Sequence, residues 1–249
     1  MARYVQLLIT LPLAHAAEKF ITLGDWGGAA LGSYHSVTVG KVASEMASCA
    51  ADNEVSFVVN TGDNFYYCGI QNSTDPQIQT DWLAPYNFKS LKVPWYGVLG
   101  NHEYGYNVDA QIEMAVSSPL WVMDDRYYSR RIALGGGSAH LSLIFLDTNP
   151  CISAYRSTDP SGWDPCGTDF PTCAPVSEGP CHFHENILAQ DCTEQLDWLK
   201  KALDSGMSLP PAPPVPQMIH LLQSRVVPRH RLYYYCTRTA PRHVARAPL

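Results

Sequence analysis

Three short apolar runs near the start of the chain each end in glycine followed at once by polar residues. Phe20-Ile21-Thr22-Leu23 ends at Gly24-Asp25-Trp26-Gly27-Gly28, Val55 to Asn60 ends at Thr61-Gly62-Asp63-Asn64-Phe65-Tyr66-Tyr67, and Val93 to Leu99 ends at Gly100-Asn101-His102-Glu103. Apolar runs of this length read as buried strands. Carboxylates, an amide, an imidazole and phenols packed into tight turns build a core poorly and a ligand site well. In open α/β sheets ligands bind beyond the carboxyl ends of the strands. These turns therefore limit the chain to folds that bring three strand ends to one edge.

The intervening sequence has the right period for such a fold. Val39, Val42, Met46 and Cys49 recur at three- and four-residue spacing, which predicts an amphipathic helix over Ser36 to Ala51. A helix is expected over Pro76 to Leu83 with Asp75 as its cap, and another over Val108 to Val116. Strands are expected at Tyr127 to Leu134 and His140 to Leu146. Residues 148–190 lack periodicity and read as one long loop tied by disulfides. Leu196, Trp198, Leu199 and Leu203 mark a further helix, with Thr193 as its N-cap. Strands alternating with helices make this an α/β protein. No tandem repeat is visible, and no clear linker precedes Pro210.

Charge and cysteine usage bound the setting. Formal net charge is −6 over 249 residues, which argues against nucleic-acid binding. The sum hides an asymmetry: residues 217–249 carry six Arg and no Lys, Asp or Glu, leaving residues 1–216 at −12. Arg3, the apolar Val5 to Ala14 and Ala14-His15-Ala16 read as a signal peptide over residues 1–16, against the alternative of a first strand. That run is too short to span a bilayer, which takes about 20 residues. The expected protein is secreted or resident in an endomembrane lumen, with no membrane anchor. Its eight cysteines then predict disulfides. Zinc held by Cys166, Cys173, Cys181, His182 and His184 is the alternative, though the paired C-x-x-C spacing is absent. Asn72-Ser73-Thr74 is a candidate glycosylation sequon.

Asp25, Asp63, Tyr66, Asn101 and His102 carry the chemistry. Two carboxylates and an amide oxygen suit a hard metal ion. A phenol, with a free pKa of about 10, is ionised only by a strongly Lewis-acidic ion such as ferric iron. A carboxylate placed as Asp63 is can bridge two ions, the arrangement used for phosphate-ester hydrolysis. Each residue singly has a structural alternative: Asp25 and Asp63 as turn or cap residues, Asn101 as a helix cap, His102 as a core histidine, Tyr66 as packing. Jointly, at three strand ends, the metal reading prevails. Asp147, His35 and the tryptophans Trp26, Trp82, Trp95 and Trp121 read as structural.

The ordered blocks Gly24-Asp25-Trp26-Gly27, Gly62-Asp63-Asn64-Phe65-Tyr66 and Gly100-Asn101-His102-Glu103 resemble the purple acid phosphatases of the tartrate-resistant type, within the calcineurin-like metallophosphoesterases. The resemblance covers Phe20 to Leu203, and Tyr66 separates this type from the wider superfamily. It implies a four-layer αββα sandwich, here incomplete at its C-terminus. It also implies an acid phosphatase acting on small phosphomonoesters or phosphoproteins through Fe(III) and a second divalent ion (Fe, Zn or Mn). In that pattern Asp25 and Tyr66 bind the ferric ion, Asp63 bridges, Asn101 binds the divalent ion, and His102 contacts the phosphate and helps protonate the leaving alcohol. Residues 17–209 would form the phosphoesterase domain.

The family's later Gly-His-His-Pro and Gly-His-x-His blocks have no counterpart here. His220, His230 and His243 stand outside any Gly-His context, and His182-Phe183-His184 precedes the helix it should follow. A Pro- and Arg-rich tail over residues 210–249 stands in place of the strands that would carry those blocks. A divalent site reduced to Asp63 and Asn101, with open sheet edges, implies a chain of impaired folding and low activity. The other reading is a binding module that keeps the first half of the fold.

Overall fold

In the computed structural model, residues 18–134, 139–157, 162–167 and 173–205 are described, without the side chains of 34 and 139, together with the backbone of three later strands, 219–222, 231–235 and 247–248. The first four strands are β1 (Phe20–Gly24), β2 (Phe57–Asn60), β3 (Trp95–Tyr96) and β4 (Trp121–Val122). They form a parallel ladder in the order β4-β3-β2-β1. Parallel neighbours require crossovers, and these follow from the helical periodicity between the strands. Between β1 and β2 runs α1 (Ser33–Asn53), burying Val39, Val42, Ala43, Met46, Ala47 and Ala50 at helical spacing. It ends at Glu54, whose left-handed backbone (φ 53°) turns its N–H onto the Ala50 carbonyl.

The second sheet is antiparallel β5 (Tyr128–Leu134) and β6 (Ala139–Phe145), with β7 (Ile219–Leu222) parallel to β6. The two sheets meet through aromatic side chains. The Phe145 ring stacks on Tyr128 at 4.4 Å and lies 6.0 Å from Tyr96. The buried Tyr128 hydroxyl donates to the carbonyls of Gly97 (2.8 Å) and Val122 (2.9 Å). Trp26, Trp95 and Trp121 are at most 1% exposed and Trp82 is 3% exposed; Trp82 packs edge-on against Trp95 and Trp121, and Trp26 edge-on against Trp95, so all four tryptophans are core. The α/β architecture expected from the sequence is present.

Several elements differ from their sequence expectation. The third strand shrinks to Trp95–Tyr96, because Pro94 lacks an N–H and Gly97 begins the turn toward the site. The segment after Asp75 starts helical, with the Gln77 N–H donating to the Asp75 carboxylate at 2.9 Å. It then widens into a π-helix over Ile78–Leu83. Within it, buried Asp81 turns inward and accepts from the backbone N–H of Ala30 (2.7 Å) and Gly28 (3.3 Å). Helix α2 spans Ala110–Ser117. Residues 148–190 are not one loop. They contain a 3-10 turn at Asn149–Cys151 and a short helix, α3 (Phe183–Leu188), which begins at His182-Phe183-His184. Helix α4 (Cys192–Asp204) is capped by Asp191, which accepts from the Thr193 N–H, rather than by Thr193 itself.

Disulfides Cys68–Cys173, Cys151–Cys192 and Cys166–Cys181 bind this region to the first half of the chain and to itself. Cys49 is also disulfide-bonded. The zinc alternative is thereby corrected, since its three thiols are consumed in disulfides. His182 instead pairs with Glu185 at 3.1 Å, and His184 lies 3.6 Å from Asp164. The Pro- and Arg-rich tail contributes strands of its own. Apart from β7, β8 (Arg231–Tyr235) pairs antiparallel with β1, and β9 (Ala247–Pro248) pairs antiparallel with β8. Open sheet edges were expected, but the edge of β1 is occupied by β8. The reason is local: Arg231–Tyr235 is a proline-free, tyrosine-rich run of high strand preference. Residues 1–16, and with them the signal-peptide reading, lie outside the described residues.

Candidate metal centre

The strand ends are locked together before any side chain is considered. Thr61 N–H donates to the Leu23 carbonyl (2.8 Å), and Asp25 N–H donates to the Gly62 carbonyl (3.1 Å). Glycine is required at two of these contacts. A Cβ on Gly100 would lie 2.1 Å from the Asp63 carboxylate, and one on Gly62, at φ 99°, would lie 2.8 Å from the Gly100 nitrogen. The turns after β2 and β3 thus touch backbone to backbone. Asp25 (φ 56°) and Asp63 (φ 52°) both take the left-handed conformation, which swings their carboxylates off the strand direction.

Glu103 fixes the turns from below. Its 2%-exposed carboxylate accepts four backbone N–H groups: Asn64 (2.7 Å) and Phe65 (3.0 Å) on one oxygen, Gly100 (2.6 Å) and Asp63 (3.1 Å) on the other. Asn60 adds a second brace, accepting from the Trp26 indole (3.0 Å) and the Gly62 N–H (3.2 Å). The sequence placed Glu103 in a motif without giving it this role. A buried carboxylate directly after the ligand pair was the available signal.

Four candidate residues meet above that brace. The Tyr66 hydroxyl donates to Asp25 Oδ1 at 2.8 Å and lies 3.5 Å from Asp63 Oδ2. The His102 N–H donates to Asp63 Oδ1 at 3.3 Å, and the Asn101 N–H also reaches the Asp63 carboxylate. Asn101 itself is buried. The imidazole of His102 donates from Nδ1 to the Tyr67 carbonyl at 2.7 Å, which leaves the lone pair on Nε2 when the ring is neutral. The Tyr66 ring lies 4.4 Å from this imidazole, edge-on, and Trp163 lies 5.1 Å from it.

Burial dominates the electrostatics. It pushes Asp25 up to about 7, with the Asp63 charge adding to the effect. It pushes Asp63 up to about 6, against the N–H groups of His102 and Asn101, which pull it down. It raises Tyr66 well above an ordinary phenol, with the two carboxylates reinforcing it. It lowers His102 to about 4. Two carboxylates and a phenol that share protons because like charges crowd together have the donor chemistry of a hard-cation site. A cation placed among them would replace the proton in the Tyr66–Asp25 hydrogen bond. The donor set therefore fits a metal ion held by Asp25, Asp63 and Tyr66.

The remaining candidates lie elsewhere. Asn72 is exposed, its side-chain oxygen accepting from the Thr74 N–H (2.9 Å) and hydroxyl (2.7 Å). Asp147 is a buried structural carboxylate, bonded by the Tyr104 hydroxyl and by Asn149, while its backbone pairs with the Gln195 amide. His220 sits on β7 in register with Leu143. His230 and His243 lie outside the described residues. His35 belongs to α1. Trp163, whose ring lies against His102, and Tyr155, which packs on Trp163, were not anticipated from the sequence.

A model of the calcineurin-like phosphoesterase family matches residues 19–203. Tartrate-resistant acid phosphatase type 5 of Homo sapiens is 31% identical over 203 residues, 80% of this chain and 56% of that one. Purple acid phosphatases 3 and 4 of Arabidopsis thaliana are each 36% identical, over 137 and 144 residues. Those matches cover 55% and 58% of this chain, and 35% and 40% of the plant proteins. The chain thus spans little more than half the length of the human relative and less of the plant ones. The blocks that converge on Asp63 lie within the matched region, and the chain belongs to the calcineurin-like phosphoesterase family, where it is similar to the purple acid phosphatases.

Proposed function

We propose that this chain is a phosphoesterase that hydrolyses phosphate monoesters, small or protein-borne, with a dinuclear metal centre at the three strand ends. Asp25 and Tyr66 would hold Fe(III), Asp63 would serve both ions, and Asn101 would offer its amide oxygen to a second divalent ion (Fe, Zn or Mn). The observation that carries the reading is the Tyr66 hydroxyl within hydrogen-bonding reach of both Asp25 and Asp63. When bound, such an ion pair neutralises phosphoryl charge and lowers the pKa of the attacking water. The chain's own residues do the rest. Glu103 and Asn60 keep the strand-end loops rigid, so the donors are preorganised. In this reading His102 meets the phosphate. An arriving phosphate dianion raises its lowered pKa, and the imidazolium then donates to the leaving oxygen.

The oxidising compartment implied by the disulfides fits a secreted or lumenal protein. The exposed Asn72 sequon fits glycosylation there. No helix among the described residues is long and apolar enough to cross a membrane. The domain reading is a phosphoesterase unit over 17–209 after a signal peptide at 1–16, followed by the divergent tail.

A second reading is favoured by the second metal's thin ligand set. The motif pattern offers only Asp63 and Asn101 to it, which fits an impaired phosphoesterase or a binding module. Metal analysis of the purified chain, with turnover of a chromogenic phosphomonoester, separates the two. Two metals per chain, turnover, and a visible absorption band lost in Tyr66→Phe are expected for the enzyme. Metal at trace level with no turnover would sink the phosphatase assignment.

A further inference from the structure

Two ring contacts from His102, by way of Trp163, lies a buried tyrosine hydroxyl. Tyr155 is 3% exposed, and its phenolic oxygen makes no hydrogen bond among the described residues. A buried hydroxyl in that state is destabilising, and phenylalanine would fill the same volume without the cost. The ring is held firmly. It lies 5.4 Å from Trp163 and 5.6 Å from Phe183, edge-on to the latter. Its carbonyl is bonded by His184 Nδ1 at 3.2 Å. The next residue, Arg156, donates to the carbonyls of Pro150, Ile187 and Gln190. Trp163 bridges this unit to the site, with its ring 5.1 Å from Phe183 and 5.1 Å from the His102 imidazole. The Cys166–Cys181 and Cys151–Cys192 disulfides anchor the segments that carry Trp163 and Tyr155.

Burial, with the Asp63 charge adding to it, raises the Tyr155 phenol well above its ordinary value. A phenol so raised keeps its proton and can only donate to an anion. We infer that the Tyr155 hydroxyl donates a hydrogen bond to a phosphoryl oxygen of the substrate bound beside His102, with Trp163 as the positioning ring between them. The inference rests on the proposed phosphoesterase site and assigns that site an additional binding residue.

The test is orthophosphate binding to the full chain loaded with ferric iron and zinc, measured by titration calorimetry, with thermal melting in parallel. Tyr155→Phe should weaken orthophosphate about tenfold, as expected for one hydrogen bond to a charged group, while the melting temperature stays level or rises. Trp163→Phe keeps an aromatic ring and should weaken orthophosphate less than Tyr155→Phe does. Unchanged orthophosphate affinity in Tyr155→Phe, with wild type binding normally, overturns the inference alone. A lower melting temperature with unchanged affinity overturns it too, since the hydroxyl then serves the fold. Failure of the loaded wild type to bind orthophosphate refutes the phosphoesterase site, and this inference with it.

Discussion

Replacing Glu103 tests how much of the metal centre depends on one buried side chain. Its carboxylate collects four N–H donors from two turns, and among the described residues the N–H groups of Asp63, Asn64, Phe65 and Gly100 have no other acceptor. Glu103→Gln keeps one oxygen, enough for two donors, and turns an NH2 group against the other two. Losing two buried bonds at about 1–1.5 kcal/mol each predicts destabilisation of about 2–3 kcal/mol. Glu103→Ala leaves all four donors unsatisfied and should cost about 4–6 kcal/mol. In a chain of this size 1 kcal/mol moves the midpoint by about 2–4 °C, so the glutamine variant should melt about 5–10 °C lower and the alanine variant about 10–20 °C lower. Burial and the Asp63 charge push Glu103 up to about 8, opposing the donors that favour the carboxylate. A glutamine imitates the protonated acid. If Glu103→Gln melts within about 2 °C of wild type by circular dichroism at pH 9, where the carboxylate is ionised, the charged four-acceptor brace is refuted.

Acidity at the site has a definite sign. Asp25 is raised to about 7 and Asp63 to about 6, so the metal-free fold is favoured by their protonation. That contribution is complete below the ordinary carboxylate range and is lost as pH rises through 6 to 7. The metal-free chain should therefore melt higher at pH 5 than at pH 7.5, while zinc uptake should be at least about tenfold weaker at pH 5. Equal melting at both pH values would count against the buried, crowded carboxylates. Separately, Cys173→Ala removes a link spanning 105 residues and leaves Cys68 unpaired. The chain-entropy estimate for a loop of that length is about 4–5 kcal/mol, so a clear fall in the urea midpoint is expected, and an unchanged midpoint would show the link to be dispensable.

The early part of the chain was legible because local chemistry and tertiary role agree there. Gly24, Gly62 and Gly100 punctuate apolar runs, and close backbone approach is what glycine permits. Helix α1 could be read because its buried residues keep one period. Pro94 was visible, yet the shortening of β3 depends on the turn the chain takes at Gly97. The cap of α4 is Asp191 and not the expected Thr193, a distinction the sequence obscures because both residue types cap well. Tyr155 and Trp163 were hidden for a different reason. Their segment has no periodicity, and their place is set by disulfide pairings that cysteine positions alone do not determine. Strand β8 was missed because Leu232-Tyr233-Tyr234-Tyr235 lacks the alternation that marks a half-buried strand.

The left-handed backbone at Asp25 and Asp63 sets the scaffold against its own cargo. For a side-chain-bearing residue that conformation costs about 1–2 kcal/mol, and asparagine or glycine occupies it more readily. Removing either carboxylate also ends the repulsion between them. A library of this chain selected only for heat resistance should therefore drift first at these two positions, toward Asn or Gly. The residues that define the lineage are those a purely structural selection would discard.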